Sequence, residues 1–101
     1  MAKGYWIARV DVSNPEGYQK YIAANAAVFS KFGARFVVRG GRFEAPEGQH
    51  RSRNIVLEFK DYETALACYR SPEYAAAKAL REAHSVAELI IIEGYEGPQP
   101  S

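Results

Sequence analysis

The sequence is short of the residues that build disulfides, metal centres and membrane spans. Cys68 is the one cysteine, and His50 and His84 are the two histidines. No intrachain disulfide can form, and no Cys/His spacing resembles a zinc or redox motif. No metal and no cofactor is expected. Neither sign of charge dominates: thirteen Lys and Arg stand against twelve Asp and Glu, a formal net charge of +1. Such a balance concentrates no field on a phosphate backbone, so nucleic acid is not an expected partner. Long apolar runs are missing as well. Near the N-terminus only Tyr5 to Ala8 are continuously apolar before Arg9 interrupts them, too short for a signal-peptide core or a membrane span. The cytoplasm is the expected compartment, with no membrane partner. No Ser/His/Asp constellation, paired-carboxylate motif or metal-ligand spacing is visible.

What is there is the balance of an ordinary folded domain, 48% apolar and 25% charged. A chain of this length buries roughly two-thirds of its unfolded surface in one core. A single domain over residues 1–96 is expected, followed by a flexible tail, residues 97–101, whose GPQPS composition suits a frayed terminus.

Alternation over Tyr5 to Val12 predicts a first strand with Trp6, Ala8 and Val10 on one face. In SNPEG, Ser13 or Asn14 can accept orphan N–H groups and Pro15 suits the first helical position. Ser13 with Glu16 fits a capping box. The apolar stripe of the helix runs through Tyr18, Tyr21, Ile22, Asn25, Phe29 and Phe32, and Gly33 is placed to stop it. Ala34 to Arg39 and Arg53 to Phe59 read as strands, with PEGQ as the turn between them. Asp61 caps a short helix with Tyr62, Ala65, Leu66 and Tyr69 inward. Ser71-Pro72 repeats the signal for a second segment, in which Ala76, Ala79, Leu80 and Ala83 are expected to be buried and Tyr74, Lys78 and Arg81 to form a solvated face. Ala87 to Glu93 is the last strand. The order βαββαβ predicts an α+β, ferredoxin-like antiparallel sheet with helices on one face.

The stretch RFVVRGGRFEAPEG places Gly40-Gly41 between two arginines. A phosphate-cradling glycine loop leads from a strand into a helix N-terminus, whereas Arg42, Phe43 and Glu44 continue here in strand-like fashion. The pair is therefore expected to kink one long second strand. With the helices over Trp6, Ala8, Val10, Phe36, Val38, Ile55, Leu57 and Phe59, the opposite face is expected to hold Tyr5, Ile7, Arg9, Arg35, Val37, Arg39, Val56, Glu58, Ile91 and Glu93. A mixed face so apolar marks an interface, and a homodimer through it is expected. Arg9, Glu58 and Arg35 are expected to cluster on neighbouring strands, with the first and third strands taken as parallel. Arg39 is expected to pair with Glu93 of the partner subunit.

The segments GYWIARVDVSNPEGYQKY, FGARFVVRGG, IVLEF and YRSPEYAAAKALR together resemble the uncharacterised family named domain of unknown function 1330, over nearly the whole chain. The resemblance implies a dimeric α/β barrel, in which ferredoxin-like monomers associate through their sheets. That group includes cofactor-free monooxygenases, muconolactone isomerases and dehalogenating or decolorising enzymes. It implies no reaction for this chain.

Five residues are candidates for ligand binding: Trp6, Asn25, Arg39, Tyr69 and His84. Asn25 is an amide in an apolar stripe, where it must find partners or cost about 1 to 3 kcal/mol. It is either a satisfied core amide or a group in a helix–sheet pocket. Tyr69 belongs to the apolar side with its hydroxyl at a pocket rim, and Trp6 supplies an aromatic wall. His84 lies at the edge of the last helical stripe and could titrate near neutral pH, although a lone histidine without a motif partner is more often a surface residue. Arg39 suits an anionic ligand group, or else an ion pair inside the dimer. Cys68 has no adjacent cation and reads as structural. The sequence thus predicts a small homodimer binding a small organic molecule. The alternatives are a cofactor-independent oxygenase or isomerase on the same scaffold and a purely structural dimer.

Overall fold

The computed structural model describes residues 2–100. The elements run β1 (Gly4–Val12), α1 (Pro15–Lys31), β2 (Arg35–Arg39), β3 (Arg53–Phe59), α2 (Tyr62–Arg70), α3 (Pro72–Glu82) and β4 (Ser85–Glu93). The strands form one sheet in the order β2-β3-β1-β4, every neighbouring pair antiparallel. The helices cover one face, an α+β ferredoxin-like fold as the sequence predicts.

Local chemistry explains the boundaries. Asn14, rather than Ser13, is the cap of α1: its side chain accepts from the Gly17 N–H at 3.2 Å, and Pro15 takes the first helical position. The Ser13 N–H instead donates to the His84 carbonyl at 2.9 Å, so the Ser13/Glu16 box does not form. Gly33 ends α1 with a φ of 68°. Asp61 caps α2 through the Thr64 N–H at 2.8 Å, and Ser71 caps α3 through the Tyr74 N–H at 3.1 Å. The Ser71 hydroxyl also donates to the Cys68 carbonyl at 2.7 Å, so one side chain turns α2 into α3.

The core is centred on Trp6, which is 1% exposed and donates its indole N–H to the Ala65 carbonyl at 2.9 Å. Phe29, Phe59, Tyr69 and Tyr74 surround its ring with centroids 4.9 to 5.6 Å away, distances at which aromatic pairs add to the gain from burial. Cys68 is on the buried side of α2, and burial pushes its thiol up to about 12.

Several expectations are overturned. β2 ends at Arg39, so Gly40 and Gly41 lie in the connection to β3 rather than within a long strand. Gly40 takes a φ of 65° and donates its N–H to the Asn54 carbonyl at 2.9 Å. The irregularity in the strand lies earlier, between Phe36 and Val38, where an extra residue lets β2 follow the twist of the sheet. That bulge places Val38 opposite Val56 on the open face and Arg39 opposite Ile55 on the helix side. β1 and β3 are antiparallel, so Glu58 lies opposite Tyr5 while Arg9 faces Asn54. Arg9 pairs with Glu88 at 2.7 Å, whereas Glu58 is approached by Arg35 and Lys3.

β4 has the opposite phase from that expected. Ile91 is in register with Trp6 and packs on the core, while Ile90 and Ile92 lie opposite Ile7 and Tyr5. Glu93 shares the parity of the helix-side residues, so no Arg39–Glu93 pair can form across the open faces. In α3 the buried side is Tyr74, Ala77 and Arg81. Ala76, Ala79, Leu80 and Ala83 are exposed. Alanine covers so much of this helix that it marks no side, and the large tyrosine decides the rotation.

Candidate functional site

Alternation puts Trp6, Ala8 and Val10 of β1 and Ile55 and Leu57 of β3 on the floor of a cavity roofed by α1 and α3. The cavity is narrow, with about 40 Å³ open to the centres of water-sized molecules, and it opens to solvent at one side. That is room for roughly three water molecules.

Its polar groups come from helices and strand ends. The Tyr21 and Tyr74 hydroxyls share a hydrogen bond of 2.8 Å, joining α1 to α3 across the roof. Burial raises the Tyr21 hydroxyl far above the ordinary phenol range, and the neighbouring Tyr74 raises it further; Asn25 and Arg81 act in the opposite direction. Tyr74 is raised as well, again chiefly by burial. Both phenols therefore stay protonated at neutral pH and can donate to an acceptor. Asn25 is 6% exposed and lines the same cavity.

Three arginines complete the lining: Arg39, Arg53 and Arg81. Arg39 stacks on the Phe36 ring with its guanidinium carbon 4.1 Å from the centroid. Arg81 is 8% exposed, with its guanidinium carbon 5.6 Å from the Tyr21 centroid. The Arg53 Nε is buried with no hydrogen-bond partner. Both Arg53 and Arg81 lie close enough to Tyr18 to favour its ionised form, though burial dominates and raises that phenol.

Of the five residues singled out in the sequence, Trp6, Asn25 and Arg39 are brought together around this cavity. Tyr69 lies beyond Trp6 and Tyr74, with centroids 5.6 and 5.3 Å away. It borders a separate surface depression with Lys78 and Glu82. His84 is outside the cavity lining: its ring packs over Gly17, where a Cβ would lie 2.5 Å from it. Sequence reasoning did not single out Arg53, and it grouped Tyr74 and Arg81 on one helix face, two turns apart, but read that face as solvated. No group of three or more His, Cys, Asp or Glu among the described residues is placed to hold a metal ion. No helix among them is long and apolar enough to cross a membrane.

The family model described as domain of unknown function (DUF1330) matches residues 3–95. The chain belongs to the DUF1330 family. No curated protein sequence matches it. Among solved structures, this DUF1330 chain is similar to a protein of unknown function from Rhodopseudomonas palustris, with a TM-score of 0.69 at 19% identity, covering 95% of this chain and 85% of that one. It is also similar to SnoaB, a cofactor-independent oxygenase from Streptomyces nogalater, with a TM-score of 0.63 at 16% identity and coverage of 96% and 97%. A dimeric ferredoxin-like protein of unknown function from Thermobifida fusca has a TM-score of 0.57 at 15% identity and coverage of 90% and 92%. At these identities the likeness is one of fold.

Proposed function

We propose that this DUF1330 protein is a single-domain cytoplasmic homodimer that binds a small organic molecule between helices and sheet. The observation that carries the reading is the cavity itself: aromatic and aliphatic walls with the Tyr21–Tyr74 pair and Asn25 converging on them, the usual composition of a small-molecule site. Self-association is supported by the open sheet face. Ile7, Val37, Val38, Val86, Ile90 and Ile92 are all on it, between 39% and 58% exposed, and a continuous apolar face is the usual mark of an interface. The Thermobifida fusca neighbour is described as dimeric. A net charge of +1 supports neither a nucleic-acid nor a membrane partner.

A second reading, a cofactor-independent oxygenase or isomerase, is favoured by the buried phenol pair. The hydroxyl whose proton is not committed to the Tyr21–Tyr74 bond can donate to an oxyanion developing on a bound substrate. The likeness to SnoaB supports the scaffold for such chemistry and not the reaction.

Native mass spectrometry of protein purified without added ligand tests the first reading. A dimer carrying a small co-purified molecule, lost on widening the roof with Tyr74→Ala, is the expected result. A dimer that stays empty across metabolite extracts, with Tyr74→Ala changing only its stability, would leave the structural dimer as the better account.

A further inference from the structure

We infer that the ligand is an organic anion whose carboxylate, or a group of like charge and shape, is held by Arg39, Arg53 and Arg81; this rests on the cavity being the ligand site proposed above. The topology gathers these arginines at one end of the sheet. Arg39 ends β2, Arg53 begins β3, and Arg81 lies in the last turn of α3 just before β4. Because β2 runs antiparallel to β3 and β4 antiparallel to β1, all three positions fall at the end where α1 begins.

Other arginines provide the contrast. Arg9 and Arg51 pair with Glu88, Arg51 also with Asp11, and Arg35 approaches Glu58. Among the described residues, none of the three cavity arginines has a carboxylate at ion-pair distance. Arg39 lies on the Phe36 ring and is exposed to solvent, Arg81 is buried over Tyr21 beside the Tyr21 and Tyr74 hydroxyls, and half-buried Arg53 keeps an unsatisfied buried Nε. A guanidinium held away from water without a counter-charge is costly, which applies to Arg81 and to the buried Nε of Arg53. An anion between them satisfies the Arg53 donor and screens the mutual repulsion. The fork of N–H donors on a guanidinium matches a carboxylate in two-point contact.

The remaining walls define the body of the molecule. Ile55, Leu57, Phe36 and Trp6 offer no charge, so the body is apolar. The narrowness of the cavity, with about 40 Å³ open to the centres of water-sized molecules, requires it to be compact or planar. The Tyr21–Tyr74 hydroxyls can receive one further polar atom of the ligand.

Trp6 is the chain's one tryptophan and lines the cavity, so its fluorescence reports occupancy there. The wild-type protein is titrated with sodium benzoate, with benzyl alcohol as the uncharged ring and with sodium phosphate as the anion without a body, each to roughly millimolar levels. Benzoate is expected to change Trp6 emission and raise the melting temperature, binding at least about ten-fold more tightly than either comparison, equivalent to about 1.4 kcal/mol. Arg81 is integral to the core, so the variants are Arg39→Met and Arg53→Met. Each should weaken benzoate by about ten-fold while leaving benzyl alcohol unchanged. Equal binding of benzoate and benzyl alcohol, untouched by the arginine variants, would overturn the anion and leave the cavity standing as a neutral site. Phosphate matching benzoate in both readouts would overturn the organic body. No response of Trp6 or of the melting temperature to any of the three would overturn both the inference and the ligand site on which it rests.

Discussion

At the scale of single residues, the apolar core carries a few polar groups that must find partners inside it. Tyr21 and Tyr74 bond each other at 2.8 Å in the roof of the cavity, with Asn25 and Arg81 also beside the Tyr21 hydroxyl. Tyr74→Phe removes one of the partners of the Tyr21 hydroxyl. It should destabilise the protein by about 0.5 to 1.5 kcal/mol, read from chemical denaturation. Tyr74→Phe with Tyr21→Phe should cost less than the sum of the two singles, because both singles lose the same bond. Cys68 carries a pH prediction. Its thiol rises from an ordinary 9.0 to about 12 on folding, chiefly through burial and secondarily through Glu73. A raised acid favours the folded state fully below its unfolded value and loses that contribution as pH rises toward the folded one. Stability should therefore fall between about pH 9 and about pH 12, and Cys68→Ala should flatten that slope. The native thiol should also resist a thiol-specific disulfide reagent at neutral pH until denaturant is added. Rapid labelling of the folded protein would contradict its burial.

At the scale of elements, the bulge in β2 decides the most. Strict alternation from Phe36 sends Val38 inward and Arg39 outward, and one extra residue between Phe36 and Val38 reverses both. Nothing in RFVVR announces it, since valine is at home on either face of a strand. The glycines that follow do different work from each other. Gly40 holds a positive φ, and a Cβ there would meet the Arg53 Nη1 at 2.8 Å. Gly41 has open space around it. Gly40→Val should cost about 1 to 3 kcal/mol through backbone strain and displace Arg53, whereas Gly41→Val should be close to neutral. Thermal melts of the two variants side by side check this, and equal losses would show that the connection is not held by Gly40. Caps, by contrast, were legible: Asp61 and Ser71 sit where their sequence context puts them, because a cap depends only on the few residues beside it.

At the scale of the whole molecule, the open face remains to be accounted for. Six large apolar side chains on one side of a four-stranded sheet are covered in the proposed dimer. Ile90, on the edge strand β4 opposite Ile7 of the central strand β1, is well placed to test it. Ile90→Lys adds a charge that neither crowds the core nor touches the cavity. It should shift sedimentation from dimer to monomer with little change in far-UV circular dichroism. A wild-type protein that sediments as a monomer at micromolar concentration would remove the face from the argument while leaving the cavity as it stands. Charges around this face also differ from a sequence-level picture. Arg9 joins Arg51, Glu88 and Asp11 at one end, and Glu58 gathers Lys3 and Arg35 at the other. A dimer must therefore match two separate charged groups rather than one cluster.

The sequence by itself determined the elements, their order, the helix caps and the family, since these depend on short-range periodicity and on residues a few positions apart. It also put Trp6 and Asn25 on apolar stripes between helix and sheet, leaving open whether Asn25 is a core amide or a pocket group. Tertiary structure decided which way Arg39, Ile91, Tyr74 and Arg81 point. Strand phase turns on single-residue shifts that pairing partners fix, and an alanine-rich helix can rotate until its largest side chains find the core. The gathering of three arginines from β2, β3 and α3 is a property of the antiparallel sheet and the return of α3 beside α1, and no separation along the chain encodes it.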